Sequence, residues 1–218
     1  MIGQTSRLER VSMKKYCLLL ALFIGCSVAQ AQGDAEAGKA KSLVCAACHG
    51  TDGNSAININ PKLAGQHEGY LLKQLQEFKL ASQTGGKEGR NNAIMNGQAA
   101  LLSDQDMLDL AAYFSGQTLQ VGSAPEDVIA QGEALYRGGD AERGITACIA
   151  CHGPSGNGMN LAGFPVIGGQ HAAYSKSQLE MFRSGGRNND LNGMMRGIAG
   201  KLTDEDISIL SQYLEGLN

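Results

Sequence analysis

The 218-residue sequence predicts an all-α fold made of two similar lobes in tandem. Segments of the second half repeat segments of the first half at an offset of 97 to 104 residues, which is a domain length and not a solenoid period. The repeats carry apolar residues at helical spacing, and the chain has 30 glycines and no tryptophan. This composition suggests helices and glycine-rich loops around a group that is not a side chain. The predicted boundaries are a leader at 1–31, a first lobe at 32–116, a linker at 117–124 and a second lobe at 125–218.

Residues 1–31 have the features of a secretory signal peptide. Lys14 and Lys15 precede the apolar run YCLLLALFIGCSVA, and small residues lead up to a cleavage site after Ala31. We therefore expect export to the periplasm. An uncleaved anchor is less favoured because the apolar run is short for a membrane span, and lipid attachment at Cys26 is less favoured because phenylalanine begins its FIGC box.

Each lobe is predicted to contain a helix before a CxxCH motif, a middle helix and a last helix. The middle helices lie in PKLAGQHEGYLLKQLQEFK (61–79) and PVIGGQHAAYSKSQLEMFR (165–183). The last helices lie in LLSDQDMLDLAAYF (101–114) and KLTDEDISILSQYL (201–214), and each begins with a capping-box pair: Ser103 with Asp106, and Thr203 with Asp206. Met107 and Met181, on helices, are interpreted as core residues. The second lobe has nine extra residues before its CxxCH, predicted to form a surface loop.

Loss of the leader would leave four cysteines, all of them in VCAACHG (44–50) and ACIACHG (147–153). No cysteine then remains for a structural disulfide, although exported thiols usually form one. The processed chain would contain 14 basic and 20 acidic residues, a formal charge of −6. This balance argues against nucleic acid or an anionic membrane surface as the main partner.

The two CxxCH motifs admit three chemical interpretations, of which haem attachment is favoured. The two thiols, Cys45 with Cys48 or Cys148 with Cys151, would add across the vinyl groups of a porphyrin, and the adjacent His49 or His152 would bind the iron. A zinc site needs a second close pair of ligands, and the histidines outside the motifs have no cysteine partner. A thiol–disulfide enzyme needs a βαβ context, which the helical pattern does not offer.

The sixth iron ligand would decide the behaviour of each haem. Met95 and Met195 lie seven residues before the leucine at the start of each last helix, and this register favours Met195 over Met194. His67 and His171, in the repeated GQH, are the rival ligands, although helix capping or a local hydrogen bond is the more common role for such residues.

Two further roles near the haems are expected. The imidazole nitrogen that faces away from the iron needs a fixed acceptor, for which a backbone carbonyl near Pro61 or Pro165 is a candidate. Arg90 and Arg187, in the repeated GRNN, would either pair with haem propionates or lie solvated in their loops.

From about residue 33 to the C-terminus, the sequence resembles the di-haem cytochrome c4 family. The resemblance rests on the two CxxCH motifs, the repeated AGQH and GGQH, LSDQDMLDLAAYF after the first methionine, and MMRG before the last helix. It implies two class I cytochrome c lobes related by a pseudo-twofold axis, with haem propionates meeting between them. The implied cofactors are two covalently attached haem c groups. The implied haem-binding residues are Cys45, Cys48, His49 and Met95 in the first lobe, and Cys148, Cys151, His152 and Met195 in the second, with His49/Met95 and His152/Met195 as the iron ligands.

The resemblance implies an electron carrier in the respiratory chain, with no catalytic residues. Its partners would be the quinol-oxidising bc complex and a cbb-type terminal oxidase, and it would associate loosely with the membrane. A di-haem enzyme, either a peroxidase or a thiosulfate dehydrogenase, is the alternative. A subunit tethered permanently to an oxidase or dehydrogenase is a third interpretation.

Overall fold

The computed structural model describes residues 32–218, so the predicted signal peptide and its two cysteines lie outside the described residues. Within residues 32–218 the structure is helical, and the β pairing consists of two isolated bridges, Asp140 with Ile145 and Met159 with Phe164. The all-α prediction is confirmed. None of the helices in this range is long and apolar enough to cross a membrane.

The first lobe contains five helices. They are α1 (Ala35–Lys41), which continues as a 3-10 turn at Ser42–Val44, α2 (Ala46–His49), α3 (Glu68–Thr84), α4 (Ala93–Ala100) and α5 (Asp104–Ser115). Helix α1 packs on α5, and α3 packs on both α4 and α5. The last helix therefore lies between the first helix and the middle helix.

The second lobe repeats this order. Its helices are α6 (Glu126–Gly138), α7 (Ile149–His152), α8 (Ala172–Ser184), α9 (Met194–Ala199) and α10 (Asp204–Gly216), with 3-10 turns at Asn160–Ala162 and Leu191–Gly193. Helix α10 packs on α6 and α8, and α9 packs on α8. The corresponding packing agrees with the duplication that the sequence predicts.

The predicted capping boxes are present at the start of α5 and α10. The Asp106 amide donates to Ser103 Oγ at 3.1 Å, and the Ser103 amide donates to Asp106 Oδ2 at 2.9 Å. Thr203 and Asp206 make the same pair of bonds, at 3.1 and 2.8 Å. These bonds satisfy amides that have no partner within the first turn of a helix.

A cation from a different segment also holds each capping aspartate. Lys41 Nζ lies 2.6 Å from Asp106 Oδ1 in the first lobe. In the second lobe Arg143 Nη1 lies 2.6 Å from Asp206 Oδ2. The lysine in the first lobe lowers the pKa of Asp106 well below its usual range, and the arginine in the second lowers that of Asp206.

The nine extra residues of the second lobe form more than a surface loop. Most of the segment is exposed, but Ile145 is buried in the core of the second lobe. Arg143 ties the segment to α10 through Asp206 and closes its turn by donating from Nε to Asp140 Oδ2 at 2.5 Å. The insertion thus supplies both a core residue and the cation that Lys41 supplies in the first lobe.

Each lobe has its own small apolar core around its last helix. The cluster of the first lobe contains Leu71, Leu110, Ala111, Tyr113 and Phe114, and the cluster of the second contains Leu135, Tyr136, Ile145, Leu202, Ile207, Leu210, Tyr213, Leu214 and Leu217. Met107 is fully buried, as predicted. Met181 is only half-buried, so its interpretation as a core residue holds in part.

Glycine allows the first and last helices of each lobe to cross closely. Gly38 of α1 lies against the Asp109 backbone of α5, and Gly132 of α6 lies against Tyr213 of α10. A Cβ at position 132 would lie 2.5 Å from Tyr213 Cβ, which is too close for two carbon atoms. The crossing therefore requires glycine.

Substitution Gly132→Ala should lower the free energy of unfolding by about 1–3 kcal/mol, because α6 must move away from Tyr213. Gly138→Ala is the matched control, since Gly138 ends the same helix and has open space around its Cα. Denaturant unfolding of both variants measures the difference. Equal stability of the two variants would contradict the requirement for a close crossing.

Candidate functional site

Each CxxCH motif forms a single helical turn. The His49 amide donates to the Cys45 carbonyl at 2.9 Å in α2, and the His152 amide donates to the Cys148 carbonyl at 2.9 Å in α7. A glycine with positive φ ends each turn, 79° at Gly50 and 74° at Gly153. The three functional side chains of each motif therefore project from one short and sharply terminated turn.

The four thiols are unpaired, and burial acts on the first thiol of each motif. Burial raises the pKa of the Cys45 thiol, and it raises the pKa of the Cys148 thiol to about 11. Catalytic CxxC pairs have thiol pKa values below the ordinary value. This difference weighs against the thiol–disulfide interpretation.

The histidine of each motif is buried and held by a proline carbonyl. His49 Nδ1 lies 2.9 Å from the Pro61 oxygen, and His152 Nδ1 lies 3.0 Å from the Pro165 oxygen. The predicted acceptors are thus in place. Since a carbonyl accepts only from a protonated Nδ1, this contact selects the tautomer whose Nε2 is free to bind a metal. Burial lowers the pKa of both histidines and thereby favours the neutral imidazole.

The predicted methionines lie near the N-termini of short helices in corresponding places. Met95 is the third residue of α4, and its amide donates to the capping Asn92 side chain at 3.0 Å. Met195 is the second residue of α9 and is half-buried, whereas its neighbour Met194 is more exposed. The relative burial agrees with the choice of Met195 from the register.

The two GQH histidines differ from each other and from the sequence interpretation. His171 Nε2 lies 2.7 Å from the Ser55 carbonyl of the first lobe, and its Nδ1 lies 3.4 Å from Glu215 Oε1. His67 precedes α3 but does not cap it, and its buried Nε2 has no partner among the described residues. The expected capping or local bond is therefore wrong for His67. For His171 it is replaced by a bond to the other lobe.

The two GRNN arginines are buried between the lobes, so the expectation of solvated loop arginines is wrong. Arg90 donates to Gln74 Oε1 at 2.9 Å and to Tyr174 and Gln178 of the second lobe at 3.0 and 2.6 Å. Arg187 makes the corresponding bonds: 2.9 Å to Gln178, 2.8 Å to Tyr70 and 3.2 Å to Gln74. Each guanidinium also lies over a phenylalanine ring, at 4.8 Å for Arg90 and 4.5 Å for Arg187.

This arginine cluster carries two buried positive charges, and the charge of Asp190 acts on Arg187 without a direct ion pair. In residues 32–218, neither Arg90 nor Arg187 forms an ion pair with an acidic side chain. Burial opposes ionisation of Tyr70, but the charges of Arg187 and Arg90 outweigh it and lower the pKa of this phenol. Buried cations in proteins are normally paired with anions. Among residues 32–218, these two guanidiniums therefore lack the paired anion that buried cations normally have.

A second set of inter-lobe contacts was not predicted from the sequence. Gln66 and Gln170, both buried, each form two hydrogen bonds with the backbone of the other lobe. Tyr70, Gln74, Tyr174 and Gln178 were missed as well. The signal was available, because all six residues recur at matching positions of the two repeats, but polar residues on a helix ordinarily indicate a solvent-facing side.

The residues present fit a covalently attached haem in each lobe. Each motif offers two unpaired thiols and a buried histidine that is held through Nδ1. Several large apolar side chains near the motifs and methionine helices in the sequence are exposed in the polypeptide, where an apolar macrocycle could cover them: Leu43, Val44, Ile59, Ile94, Leu101, Leu161 and Leu191. In residues 32–218, no three or more His, Cys, Asp or Glu side chains lie together as ligands for a metal ion without a porphyrin.

Comparisons with known proteins agree with this interpretation. The cytochrome c family model matches residues 35–117 and 129–218. Cytochrome c4 of Stutzerimonas stutzeri is 52% identical over 210 residues, which cover 94% of this chain and 100% of the relative. A crystal structure of reduced recombinant cytochrome c4 from Pseudomonas stutzeri is similar with a TM-score of 0.83 at 53% identity, covering 85% of this chain and 100% of that one. A thiosulfate dehydrogenase electron acceptor from Thiomonas intermedia is more distant, with 39% identity over 78% of this chain and 76% of the relative.

The GQH histidines differ in their bond to the other lobe, and this difference gives a direct test of the interface. His171→Phe should lower the free energy of unfolding by about 1–3 kcal/mol, because it leaves the Ser55 carbonyl without its partner. His67→Phe is the matched control and should be nearly neutral, since the His67 Nε2 has no bond to lose. Denaturant unfolding measures both variants. A larger loss for His67→Phe than for His171→Phe would refute the assignment.

Proposed function

Because the chain belongs to the cytochrome c family, and within it to the di-haem cytochrome c4 group, we propose that it is a periplasmic electron carrier in a respiratory chain. The fixed CxxCH histidines, present once in each lobe, are the single observation that carries this proposal. Each haem c supplies a one-electron ferric/ferrous couple. The chain's own residues hold that couple in place and set its properties.

We propose that four thioether bonds attach the two haems, through Cys45 and Cys48 in the first lobe and through Cys148 and Cys151 in the second. His49 and His152 then present Nε2 to the iron, because their Nδ1 atoms are held by Pro61 and Pro165. A fixed ring changes little in position between oxidation states. The protein thereby keeps the structural rearrangement on electron transfer small.

Met95 and Met195 are proposed as the sixth ligands. Their support is the matching placement near the N-termini of α4 and α9 and the greater exposure of Met194. A thioether stabilises ferrous iron relative to a second imidazole and so raises the reduction potential. His171 is a poor rival, because both of its ring nitrogens already lie near partners.

Arg90 and Arg187 are proposed to bind haem propionates between the lobes. Both guanidiniums are buried in the polypeptide, and each donates to residues of both lobes. An anionic group at this position would compensate their charge and be held in a water-poor site. Propionates from both haems would then approach each other, which favours electron transfer between the lobes.

A carrier without substrate chemistry is favoured over a di-haem enzyme. A peroxidase or thiosulfate dehydrogenase needs an open iron position and a distal base. His171 is not free to act as such a base, because its Nε2 lies 2.7 Å from the Ser55 carbonyl. The more distant relative is itself named an electron acceptor of thiosulfate dehydrogenase, which also describes a carrier.

The partners are redox proteins, and we propose the quinol-oxidising bc complex as donor and a cbb-type terminal oxidase as acceptor. Electrons would enter at one lobe and leave at the other, with loose association at the membrane surface. Cleavage after Ala31 would release the protein into the periplasm. A permanent complex with an oxidase or dehydrogenase is the third interpretation, which gel filtration of the protein purified from cells would reveal.

Substitution of the methionines tests the ligand assignment. Met95→Ala and Met195→Ala should each remove about half of the methionine-to-iron charge-transfer band in the near-infrared spectrum of the oxidised protein. Met194→Ala is the matched control and should leave the band intact. If Met194→Ala removes half of the band and Met195→Ala removes none, the register assignment is wrong.

Turnover assays separate the carrier from the enzyme. The purified protein, with two haems per chain measured alongside, should exchange electrons with a small redox protein but show no turnover of peroxide or thiosulfate. The physical reason is that two six-coordinate irons leave no position for a substrate. Sustained turnover of either compound would overturn the carrier assignment.

A further inference from the structure

Gln66 and Gln170 join the two lobes through reciprocal hydrogen bonds. Gln170 Oε1 accepts the Lys62 amide and Gln170 Nε2 donates to the Lys62 carbonyl, both at 2.9 Å. Gln66 Oε1 accepts the Val166 amide at 3.0 Å, and Gln66 Nε2 donates to the Val166 carbonyl at 2.9 Å. Each glutamine is at least nine-tenths buried. Each lobe is therefore hydrogen-bonded to the backbone of the other lobe through one side-chain amide.

Each glutamine contacts the peptide group whose carbonyl lies next to the CxxCH histidine of the other lobe. The Lys62 N–H and the Pro61 C=O belong to the same peptide group, and that carbonyl lies 2.9 Å from His49 Nδ1. The Val166 N–H and the Pro165 C=O form the equivalent peptide group, whose carbonyl lies 3.0 Å from His152 Nδ1. A chain of two hydrogen bonds thus runs from Gln170 of the second lobe to His49 of the first, and a second chain runs from Gln66 to His152.

Hydrogen bonds in such a chain strengthen one another. When the peptide N–H donates to a glutamine oxygen, electron density shifts towards the peptide carbonyl, because the group is a conjugated unit. A more negative carbonyl draws the Nδ1 proton more strongly and makes the imidazole more electron-rich at Nε2. Such a ligand stabilises ferric iron more than ferrous iron. The effect is large in a buried site, where water does not screen it.

We propose that Gln66 and Gln170 are positioning residues that lower the reduction potential of the haem in the opposite lobe. This inference rests on the proposed function, since it needs a haem on each CxxCH histidine. It implies that each haem's potential depends on contact with the other lobe. Docking of the lobes is then part of what sets the electron affinity of both.

The test replaces each glutamine by methionine, which has a similar length but no amide. Gln170→Met should raise the potential of the first-lobe haem, and Gln66→Met that of the second-lobe haem. A cooperative strengthening of 10–30% in a hydrogen bond of ordinary net strength corresponds to a change of up to about twofold in one ferric/ferrous equilibrium, or about 18 mV at about 59 mV per tenfold. A redox titration followed by NMR, using the ring-methyl signals of each haem, assigns each shift.

Two features distinguish this mechanism from loosening of the interface: the direction of the potential shift, and the fact that each variant shifts the haem of the opposite lobe. Water entering a loosened interface would stabilise ferric iron and lower both potentials, whereas loss of the glutamine bond raises one. Gln117→Met is the matched control, because the Gln117 side-chain amide donates to the Tyr113 carbonyl of its own lobe. It should shift neither haem. In the reduced protein, the Nδ1 proton signal of His49 should move to lower frequency in Gln170→Met and stay unchanged in Gln117→Met.

A second variant keeps the inference testable if methionine disrupts the interface. Gln170→Glu gives the Lys62 amide a carboxylate acceptor, which is stronger than an amide oxygen, so the potential of the first-lobe haem should fall relative to that of the second-lobe haem. The inference fails if Gln170→Glu raises that potential, or if each methionine variant shifts the haem of its own lobe. A sample that lacks two haems per chain would instead refute the proposed function, so the two failures are distinguishable.

Discussion

The hydrogen bond between each CxxCH histidine and a proline carbonyl is the constraint on which each lobe depends. It requires a loop that returns the chain to the histidine twelve or thirteen residues later. The Gly53 carbonyl holds the first-lobe loop by accepting the Leu63 amide at 2.7 Å, and the Gly65 amide ties it to α5 by donating to the Phe114 carbonyl at 3.0 Å. The second lobe makes the same bonds through Gly156 and Gly169, at 2.7 and 2.8 Å. The last helix therefore supports the histidine through the loop, and the glycine crossing fixes that helix.

Buried polar groups of both lobes meet at the contact between them. Two glutamines bind backbone, and two arginines bind the tyrosines and glutamines of both lobes. Removing such groups from water is unfavourable unless every one of them finds a partner. The reciprocal pattern meets this condition because duplicated lobes related by a twofold axis supply each donor and acceptor twice. In the same arrangement, the peptide group that holds each motif histidine is hydrogen-bonded to a glutamine of the other lobe.

The duplication is not perfect, and its exceptions lie at the interface. Lys62 of the first repeat corresponds to Val166 of the second repeat. Its buried ammonium donates to the carbonyls of Gln120 at 2.5 Å and Gly169 at 3.0 Å. Burial lowers the pKa of Lys62, while the charge of Glu215 opposes this shift. Glu215 also approaches His171, whereas the first lobe has Ser115 at the matching position. The loops that follow the two motifs consequently differ in charge, although the motif histidines are held in the same way.

The sequence alone determined the helices, the duplication and the attachment motifs, because these depend on local spacing. The capping boxes at Ser103 and Thr203 and the carbonyl acceptors near Pro61 and Pro165 followed from such spacing and were confirmed. Arg90, His67 and Gln170 were different, since their partners lie in distant segments or, for His67 Nε2, are absent among the described residues. A sequence pattern records which groups recur but not which groups face each other after two lobes dock. Only the tertiary structure decided that the arginines are buried and that each glutamine reaches the peptide group behind the other lobe's histidine.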